Sequence, residues 1–420
     1  MNFTKKALKN GLRIITVPVK GNPTVTVMAF VETGSNYETK KINGLSHFLE
    51  HMFFKGTETR TSHEVSEEFD GIGAVNNAFT GDEYTAYWAK AHNKHLPKLL
   101  DVISDMYLNS TFPKEELEKE RGVIIEEINM YEDLPQRKVW DVLQEAMYGG
   151  NQPAGRTIIG SKENIKKFKR SDFVNYRKSH YVADKTIVVV AGKINEKEVQ
   201  KEVAKAFKNI STSKGGTKQR VKEVQSKPVA KVFKKKTDQT HFVLGFRGYD
   251  AKDKRQSAVE VLAAVLGKGM SSRLFRKMRD ELGICYYIRA SHDSATDHGL
   301  FSVSAGVAND RFDEAVNAII GLLKEAKENL VSEKELKKAK EYLLGSTALS
   351  LEASDAWAQF YVFQEVLAGK MKTLQEITKE IKEVTSEDIQ KIAIDLFVPE
   401  KANLAVVGNV KAQTKYLANL

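Results

Sequence analysis

The stretch His47-Phe48-Leu49-Glu50-His51 lies between two glycines and has the length of a short helix. Each residue of a helix advances by about 100°, so His47, Glu50 and His51 fall on one face within an arc of roughly 100°. The opposite face carries apolar side chains, which are Leu45, Phe48, Leu49, Met52 and Phe53. The stretch therefore predicts a helix that packs one side on a core and presents two imidazoles and a carboxylate on the other.

This polar face has the residue types of a metal site. Histidines at positions i and i+4 can reach one metal ion from consecutive turns, and a catalytic zinc binds such nitrogens while keeping one position open for water. Glu50 is then predicted to be the general base that takes a proton from the water as it attacks a carbonyl. The alternative is a polar helix face whose histidines bind nothing, and five residues alone leave it open.

A catalytic zinc usually has three protein ligands, so a third is expected outside this helix. The helix predicted over 113–131 contains Glu120 and Glu127, which lie seven residues apart and therefore within about 20° of each other. Both fall in the middle of the apolar face, where a carboxylate is costly unless it is paired or binds a metal. We predict Glu127 as the third ligand and Glu120 as a carboxylate behind the ligands. The alternative is that lysines neutralise both glutamates.

The amino-acid composition is typical of a globular protein without disulfides or membrane spans. The chain has 420 residues, of which 41% are hydrophobic and 29% charged, as in ordinary globular proteins. A single cysteine allows no internal disulfide and favours a reducing compartment. No run approaches the roughly 18 apolar residues of a membrane span, and no signal-peptide core is present. We expect a cytoplasmic protein, with the mitochondrial matrix left open for a mature form.

The net charge of +10 raises the question of an acidic partner. The lysines are spread along predicted helices and interleaved with glutamates, which is typical of a solvated surface. No segment combines basic residues with aromatic residues in a nucleic-acid-binding pattern. Neither nucleic acid nor a membrane is therefore expected as a partner.

An internal repeat divides the chain. Residues 172–192 and 388–408 align without a gap at a separation of 216 residues, and each predicts a helix followed by a strand. Residues 211–217 are rich in glycine, serine and threonine, and basic, polar residues continue to Pro228, so residues 212–228 are predicted to be a linker. We predict an α+β protein with two homologous halves, 1–211 and 229–420, each a mostly antiparallel sheet with helices packed on it.

The two halves differ at the position of the histidine motif. The second half has Val259, Leu262 and Ala263 roughly where the first half has its two histidines and Glu50. None of these three side chains can bind a metal or move a proton. The metal chemistry is therefore expected in the first half only.

The chain resembles the pitrilysin family of zinc metallopeptidases, which includes mitochondrial processing peptidase and insulin-degrading enzyme. One shared motif is GLSHFLEHMFFKGT at 44–57, which contains the inverted zinc motif His-x-x-Glu-His. A second is ERGVIIEE at 120–127, in which the family pattern places a supporting glutamate first and the zinc ligand last. These positions are Glu120 and Glu127. The resemblance runs through the whole chain and implies a zinc endopeptidase with one zinc ion per chain.

Two other segments carry the same resemblance. Asn77-Ala78-Phe79-Thr80 belongs to a predicted hairpin, and the family uses this segment as an edge strand that pairs with the substrate backbone through Asn77, Ala78 and Phe79. In the second half, SSRLF at 271–275 is followed by Arg279 and Tyr286. The resemblance implies that this arginine and tyrosine hold the substrate backbone and stabilise the tetrahedral intermediate.

The length of the chain is similar to that of the bacterial and mitochondrial branch of the family, in which two chains pair and enclose a chamber. The resemblance implies hydrolysis of peptides, or of unfolded or precursor polypeptides, inside such a chamber. It also implies a homodimer in which each zinc site is completed by the partner's Arg279 and Tyr286. The alternative is a non-catalytic scaffold or regulatory subunit of the same fold, which the retained ligands disfavour.

Overall fold

The computed structural model describes residues 2–411 and 413–420. The strands are β1 (Thr4–Ala7), β2 (Arg13–Pro18), β3 (Thr24–Val31), β4 (Val75–Thr80), β5 (Thr85–His92), β6 (Thr186–Gly192), β7 (Val229–Lys234), β8 (Gln239–Arg247), β9 (Cys285–Ser294), β10 (Gly299–Ala308) and β11 (Ala402–Gly408).

The α-helices are α1 (Leu45–Met52), α2 (Ser62–Asp70), α3 (Leu96–Asn109), α4 (Lys114–Asp133), α5 (Pro135–Tyr148), α6 (Lys162–Lys167), α7 (Arg170–His180), α8 (Glu196–Ala206), α9 (Gln256–Gly267), α10 (Arg273–Phe275), α11 (Phe312–Glu328), α12 (Glu333–Ser350), α13 (Ser354–Phe363), α14 (Leu374–Glu383) and α15 (Ser386–Leu396). The segments Arg276–Glu281 and Gln364–Ala368 are π-helical. The predicted motif helix corresponds to α1, and the predicted helix over 113–131 corresponds to α4.

The chain forms two compact units, each an α+β structure around one sheet, which confirms the predicted fold class. Unit 1 contains the chain up to Asn129, Arg156–Gln219 and Ser350–Thr373. Unit 2 contains Met130–Gly155, Arg220–Leu349 and the chain from Leu374. Contacts therefore group the chain differently from the contiguous segments 1–211 and 229–420, because each unit takes up a segment from the other half of the sequence.

Unit 1 has a six-stranded sheet in the order β1-β2-β6-β3-β5-β4. The pair β2 and β6 is parallel and the other pairs are antiparallel. Alternate residues of β3, such as Val25 and Val27, face a core that includes Phe48 of α1. The opposite face is covered by α13, whose Ser354 hydroxyl lies 2.8 Å from that of Thr26. Both faces are covered, which explains why β3 and β6 are almost continuously apolar.

Unit 2 repeats this arrangement in a five-stranded sheet with the order β7-β11-β8-β10-β9. The pair β7 and β11 is parallel, like β2 and β6. One face of the sheet carries α9, α11 and α15, and the other packs on α5. Because Val139 and Leu143 of α5 pack on Val243 and Ala405, this helix belongs to unit 2 although it precedes the second half in sequence.

The segment predicted as a linker, 212–228, contains no helix or strand. Its C-terminal part is nevertheless fixed to unit 2. Val221 is buried in the cluster around α5, and the backbone N–H of Lys222 donates to the Gln152 side chain at 2.7 Å. A buried side chain and a backbone hydrogen bond therefore hold these residues in place.

A search of the described residues for an α-helix with the length and hydropathy needed to cross a bilayer finds none.

Candidate metal centre

The start of α1 is held by a buried carboxylate. Glu38 accepts hydrogen bonds from the backbone N–H of Ser46 at 2.6 Å and of Gly44 at 2.8 Å, and from the Asn43 amide at 3.1 Å. These backbone groups belong to the first turn of α1, where N–H groups have no partner within the helix. Burial raises the pKa of Glu38 to about 7, although all of these hydrogen bonds act to lower it. The carboxyl thus fixes the helix that carries the histidine motif.

Gly44 is required at the start of this helix for two reasons. Its φ of 99° lies in the left-handed region, which favours glycine. A side chain at this position would also approach the carbonyl oxygen of Ile159 to 2.7 Å. From there the helix buries Phe48, whose ring packs edge-on against Phe173 at 4.8 Å. Burial of this apolar face turns the histidine face away from the core, as the sequence predicts.

The structure brings His47, His51 and Glu127 together. Oε2 of Glu127 lies 3.7 Å from Nε2 of His47 and 3.8 Å from Nε2 of His51. These three residues each offer one ligand atom within 4.8 Å of the others. Two imidazole nitrogens and one carboxylate oxygen at such separations fit the ligand set of a catalytic zinc site. The fit arises because α1 and α4 present these side chains to each other.

Glu120 lies on the other side of His51 from Glu127. Its Oε2 is 3.0 Å from Nδ1 of His51, and its Oε1 is 2.5 Å from Nζ of Lys55. Burial acts to raise the pKa of Glu120, but the hydrogen bonds from His51 and Lys55 outweigh it and hold the pKa below its usual value. An ionised Glu120 keeps a proton of His51 on Nδ1, so that Nε2, on the side of Glu127, is the nitrogen that can give up its proton to a metal.

The two histidines respond differently to their surroundings. Burial, followed by the nearby charge of His51, lowers the pKa of His47 to about 3, so its imidazole is neutral. Burial also acts to lower the pKa of His51, but the Glu120 hydrogen bond and the charges of Glu50, Glu120 and Glu127 raise it overall. Among the described residues, Nδ1 of His47 is buried and has no hydrogen-bond partner. The acidic surroundings favour a positive charge at this centre.

Glu50 lies on the same face of α1 and is fixed by a different element. The hydroxyl of Thr80, the last residue of β4, donates to Oε2 of Glu50 at 2.5 Å. Burial raises the pKa of Glu50, against the effects of the Thr80 hydrogen bond and of His51. A carboxylate with a raised pKa beside a metal site is suited to general-base chemistry near neutral pH.

The predicted substrate-binding segment forms the outer strand of the unit 1 sheet. Asn77, Ala78 and Phe79 lie on β4, which pairs with β5 on one side. Within the described part of the chain no strand pairs with its other edge. An open edge of this kind can pair with an extended peptide through its backbone groups. The role of these three residues stays a prediction.

Arg279 and Tyr286 lie next to each other in unit 2. The Arg279 guanidinium is 5.1 Å from the centre of the Tyr286 ring and donates to the Tyr286 carbonyl at 2.5 Å. Arg279 belongs to the π-helical segment, a conformation frequent at functional sites, and Tyr286 is 75% exposed at the start of β9. Their predicted action on the substrate stays a prediction.

Sequence reasoning assigned no role to Glu38, Lys55 or Thr80. Lys55 and Thr80 contact the carboxylates of the centre, and Glu38 contacts the start of α1. Lys55 follows His51 by four residues, so helical periodicity could have placed it on the same side. Thr80 was recognised as part of a motif but without a role. Glu38 carries no comparable signal, because the loop between it and α1 decides where its carboxyl points.

Unit 2 has apolar side chains at the equivalent positions. Val259, Leu262 and Ala263 of α9, which lie roughly where unit 1 has its histidine motif, are fully buried. At a separation of 216 residues the counterparts of His47, Glu50 and His51 are Ala263, Leu266 and Gly267, which are also buried. At the repeat separation of 216 residues, Glu120 and Glu127 correspond to Leu336 and Leu343 of α12, both of which pack on the unit 2 core. Each unit has kept the fold, but the ligand set lies in unit 1.

Two family models match the chain. The model described as "Insulinase (Peptidase family M16)" matches residues 13–162, which include both histidines and Glu127. The model described as "Peptidase M16 inactive domain" matches residues 167–343. The second match begins after the candidate metal ligands, in agreement with the apolar residues at the equivalent positions of unit 2.

Relatives of similar length match almost the whole chain. The chain is 38% identical over 403 residues to the "uncharacterized zinc protease YmxG" of Bacillus subtilis, which covers 95% of this chain and 97% of that protein. It is 31% identical over 408 residues to an "uncharacterized zinc protease" of Rickettsia bellii, which covers 97% of this chain and 98% of that protein.

A solved structure shows the same fold. The crystal structure of a protease from Helicobacter pylori matches with a TM-score of 0.90 at 23% identity, and the match covers 97% of this chain and 99% of that one. A structure described as a peptidase M16 inactive domain from Pseudomonas fluorescens matches with a TM-score of 0.89 at 17% identity, covering 98% of this chain and all of that one. At these identities the comparison concerns the fold alone.

Proposed function

This chain belongs to peptidase family M16, the insulinase family, and we propose that it is a zinc-dependent endopeptidase that acts on peptides or on unfolded or precursor polypeptides. The observation that carries the proposal is the convergence of Nε2 of His47, Nε2 of His51 and Oε2 of Glu127, with Glu50 on the same face of α1. The names of the relatives as zinc proteases agree with it.

The three converging residues would hold the metal ion. A bound zinc would lower the pKa of a water molecule and polarise the carbonyl of the scissile peptide bond. Glu50 accepts the proton of the attacking water on its carboxylate. The same carboxyl then donates that proton to the amide nitrogen as the C–N bond breaks, so that an amine leaves and Glu50 returns to its ionised form.

The remaining residues support this chemistry. Glu120 keeps the proton of His51 on Nδ1 and so fixes the ring that presents Nε2. The open edge of β4 would bind a substrate segment in extended conformation, which favours peptides and unfolded chains over folded proteins. Asn77, Ala78 and Phe79 are the residues of β4 that we propose for this contact.

The test combines metal analysis with peptide hydrolysis. Protein purified without chelators should contain about one zinc ion per chain and should cleave members of a diverse peptide library, read by mass. Glu50→Gln should retain zinc and lose roughly 10²- to 10⁴-fold in kcat, as expected when a general base is removed. A chain that binds no divalent metal, or a Glu50→Gln variant with full activity, would contradict the proposal.

The homodimer, the enclosed chamber and the cytoplasmic location stay predictions. The dimer can be tested by complementation, because in the proposed composite site Glu50→Gln and Tyr286→Phe inactivate parts that come from different chains. When the two inactive variants are mixed and allowed to exchange subunits, activity should return. If exchange is verified by mass and no activity returns, each site lies within one chain.

A further inference from the structure

The candidate general base has one protein hydrogen-bond donor among the residues that the structure describes, and that donor is Thr80. Its hydroxyl lies 2.5 Å from Oε2 of Glu50, and no other described side chain or backbone N–H donates to this carboxylate. A carboxylate held at one oxygen keeps the other oxygen available for a water molecule. Without such a contact, the side chain of Glu50 could change rotamer and carry its oxygens away from the metal ligands.

Thr80 itself is held in a fixed position. It is the last residue of β4 and pairs with Thr85 across the hairpin. A threonine side chain is restricted at χ1 by its branched Cβ, so its hydroxyl has few orientations to choose from. The hydrogen bond therefore joins a stiff side chain on a paired strand to a longer side chain on α1.

The turn that follows Thr80 is clamped to a neighbouring loop. The backbone N–H of Asn36 donates to the carbonyl of Asp82 at 2.7 Å, and the Ser35 hydroxyl donates to the Asp82 side chain at 3.0 Å. The backbone also approaches closely here, since a side chain on Gly34 would lie 2.1 Å from the carbonyl oxygen of Gly81. The end of β4 is thereby fixed.

The same loop continues to the start of α1. It leads to Glu38, whose carboxyl accepts from the backbone of Gly44 and Ser46. One continuous set of contacts thus runs from the turn after β4 to the helix that carries Glu50. The hydrogen bond between Thr80 and Glu50 adds a direct contact between the end of β4 and α1.

We propose that Thr80 is a positioning residue that holds Glu50 for proton transfer and couples it to the strand on which substrate is bound. This inference rests on the proposed function, because it assigns Glu50 the role of general base. Since β4 is also the proposed binding strand, one element sets both the path of the substrate backbone and the orientation of the base.

The test separates the hydroxyl from the shape of the side chain. Thr80→Val keeps the shape and removes the donor, and it should lower kcat by roughly 10- to 100-fold, as expected for a lost hydrogen bond to a charged group. KM and zinc content should change by less than about twofold, because neither the strand nor the ligands are altered. Thr80→Ser restores the hydroxyl and should recover kcat to within about threefold of the wild type.

Two further measurements keep the result specific. In the Glu50→Gln background, Thr80→Val should cause no additional loss of kcat, because residues that act through one another are not additive. Thr85→Val is the matched control. It removes a threonine hydroxyl from the same hairpin, one that donates to the Thr33 carbonyl at 2.9 Å, and it should leave kcat within about twofold.

The proposal is overturned if Thr80→Val keeps full kcat, if Thr80→Ser fails to restore it, or if the losses of Thr80→Val and Glu50→Gln add. Should Thr80→Val not fold, Thr80→Ala takes its place with the same expected loss. Full activity of Glu50→Gln alone would refute the proposed function instead, so the two failures are distinguishable.

Binding of a fluorescent peptide to the Glu50→Gln protein, with and without Thr80→Val, should give equal affinities.

Discussion

The sheets of units 1 and 2 share the order of five strands, to which unit 1 adds β1 at one edge, but the two units differ at one helix. In unit 1, α1 exposes His47, Glu50 and His51 to other polar groups, whereas α9 of unit 2 buries apolar side chains. Unit 2 meets the ordinary requirement of a hydrophobic core. Unit 1 keeps charged groups within its structure because Glu120, Lys55 and Thr80 are placed to pair with them. The comparison shows that a polar site needs a set of partners besides its ligands.

The largest effect is expected when a candidate metal ligand on α4 is replaced, in comparison with its neighbour on the same helix. Glu127→Gln removes one of the three converging donors of unit 1. Loss of supporting residues around a metal lowers affinity by about 10- to 100-fold, and we expect a direct ligand to cost roughly 10³-fold in hydrolysis. Glu126→Gln is the control, because Glu126 is exposed and outside the cluster. Zinc content and peptide cleavage are measured for both. Equal behaviour of the two variants would remove Glu127 from the site.

A second experiment introduces a carboxylate into α9 of unit 2, where unit 1 has the polar face of α1. Leu262→Glu introduces a carboxyl into a fully buried position of α9. Without partners such a charge should destabilise the protein by roughly 3–5 kcal/mol in chemical denaturation. Leu262→Met, which nearly conserves volume, should cost less than about 1.5 kcal/mol. If Leu262→Glu proves as stable as Leu262→Met, unit 2 tolerates the charge and the contrast between the units does not depend on partners.

The smallest expected effect concerns the carboxyl beneath α1 and its pH dependence. The pKa of Glu38 is about 7 in the folded protein against 4.5 for the ordinary carboxyl. Between these values the folded state holds a proton that the unfolded state has lost, so the free energy of unfolding falls as pH rises. The stabilisation is present below pH 4.5 and is lost as pH rises through about 7.

Glu38→Gln removes this titration. The stability of the wild type relative to the variant should therefore decrease by up to about 3 kcal/mol between pH 4 and pH 8, measured by denaturant titration. Parallel stability profiles of the two proteins over this range would mean that Glu38 titrates like an ordinary carboxyl.

Periodicity alone located much of the centre. The arc shared by His47, Glu50 and His51 depends on helical geometry, and the seven-residue separation of Glu120 and Glu127 places both on one face of α4. The repeat likewise predicted that two halves would share one fold. The structure agrees with the helix faces and with the repeated fold, because both rest on local geometry, which depends on neighbouring residues in the chain and not on distant ones.

Sequence could not assign the helices that cover the second face of each sheet. The helix α5 carries an apolar face and precedes the predicted linker, so its pattern favours burial without saying against which sheet. In the structure it packs on Val243 and Ala405 of unit 2. The compact units depend on long-range contacts of this kind, and these contacts leave no periodic signal in the chain.

The sequence by itself determined the α+β class, the duplication, the motif helix and the residue types suited to zinc. Tertiary structure decided which groups meet. It placed Glu127 opposite both histidines, Thr80 against Glu50, and Glu38 under the start of α1. The physical reason is that spacing along a helix or strand sets only the face on which a side chain lies. The distance between faces on separate elements is set by the packing of the core between them.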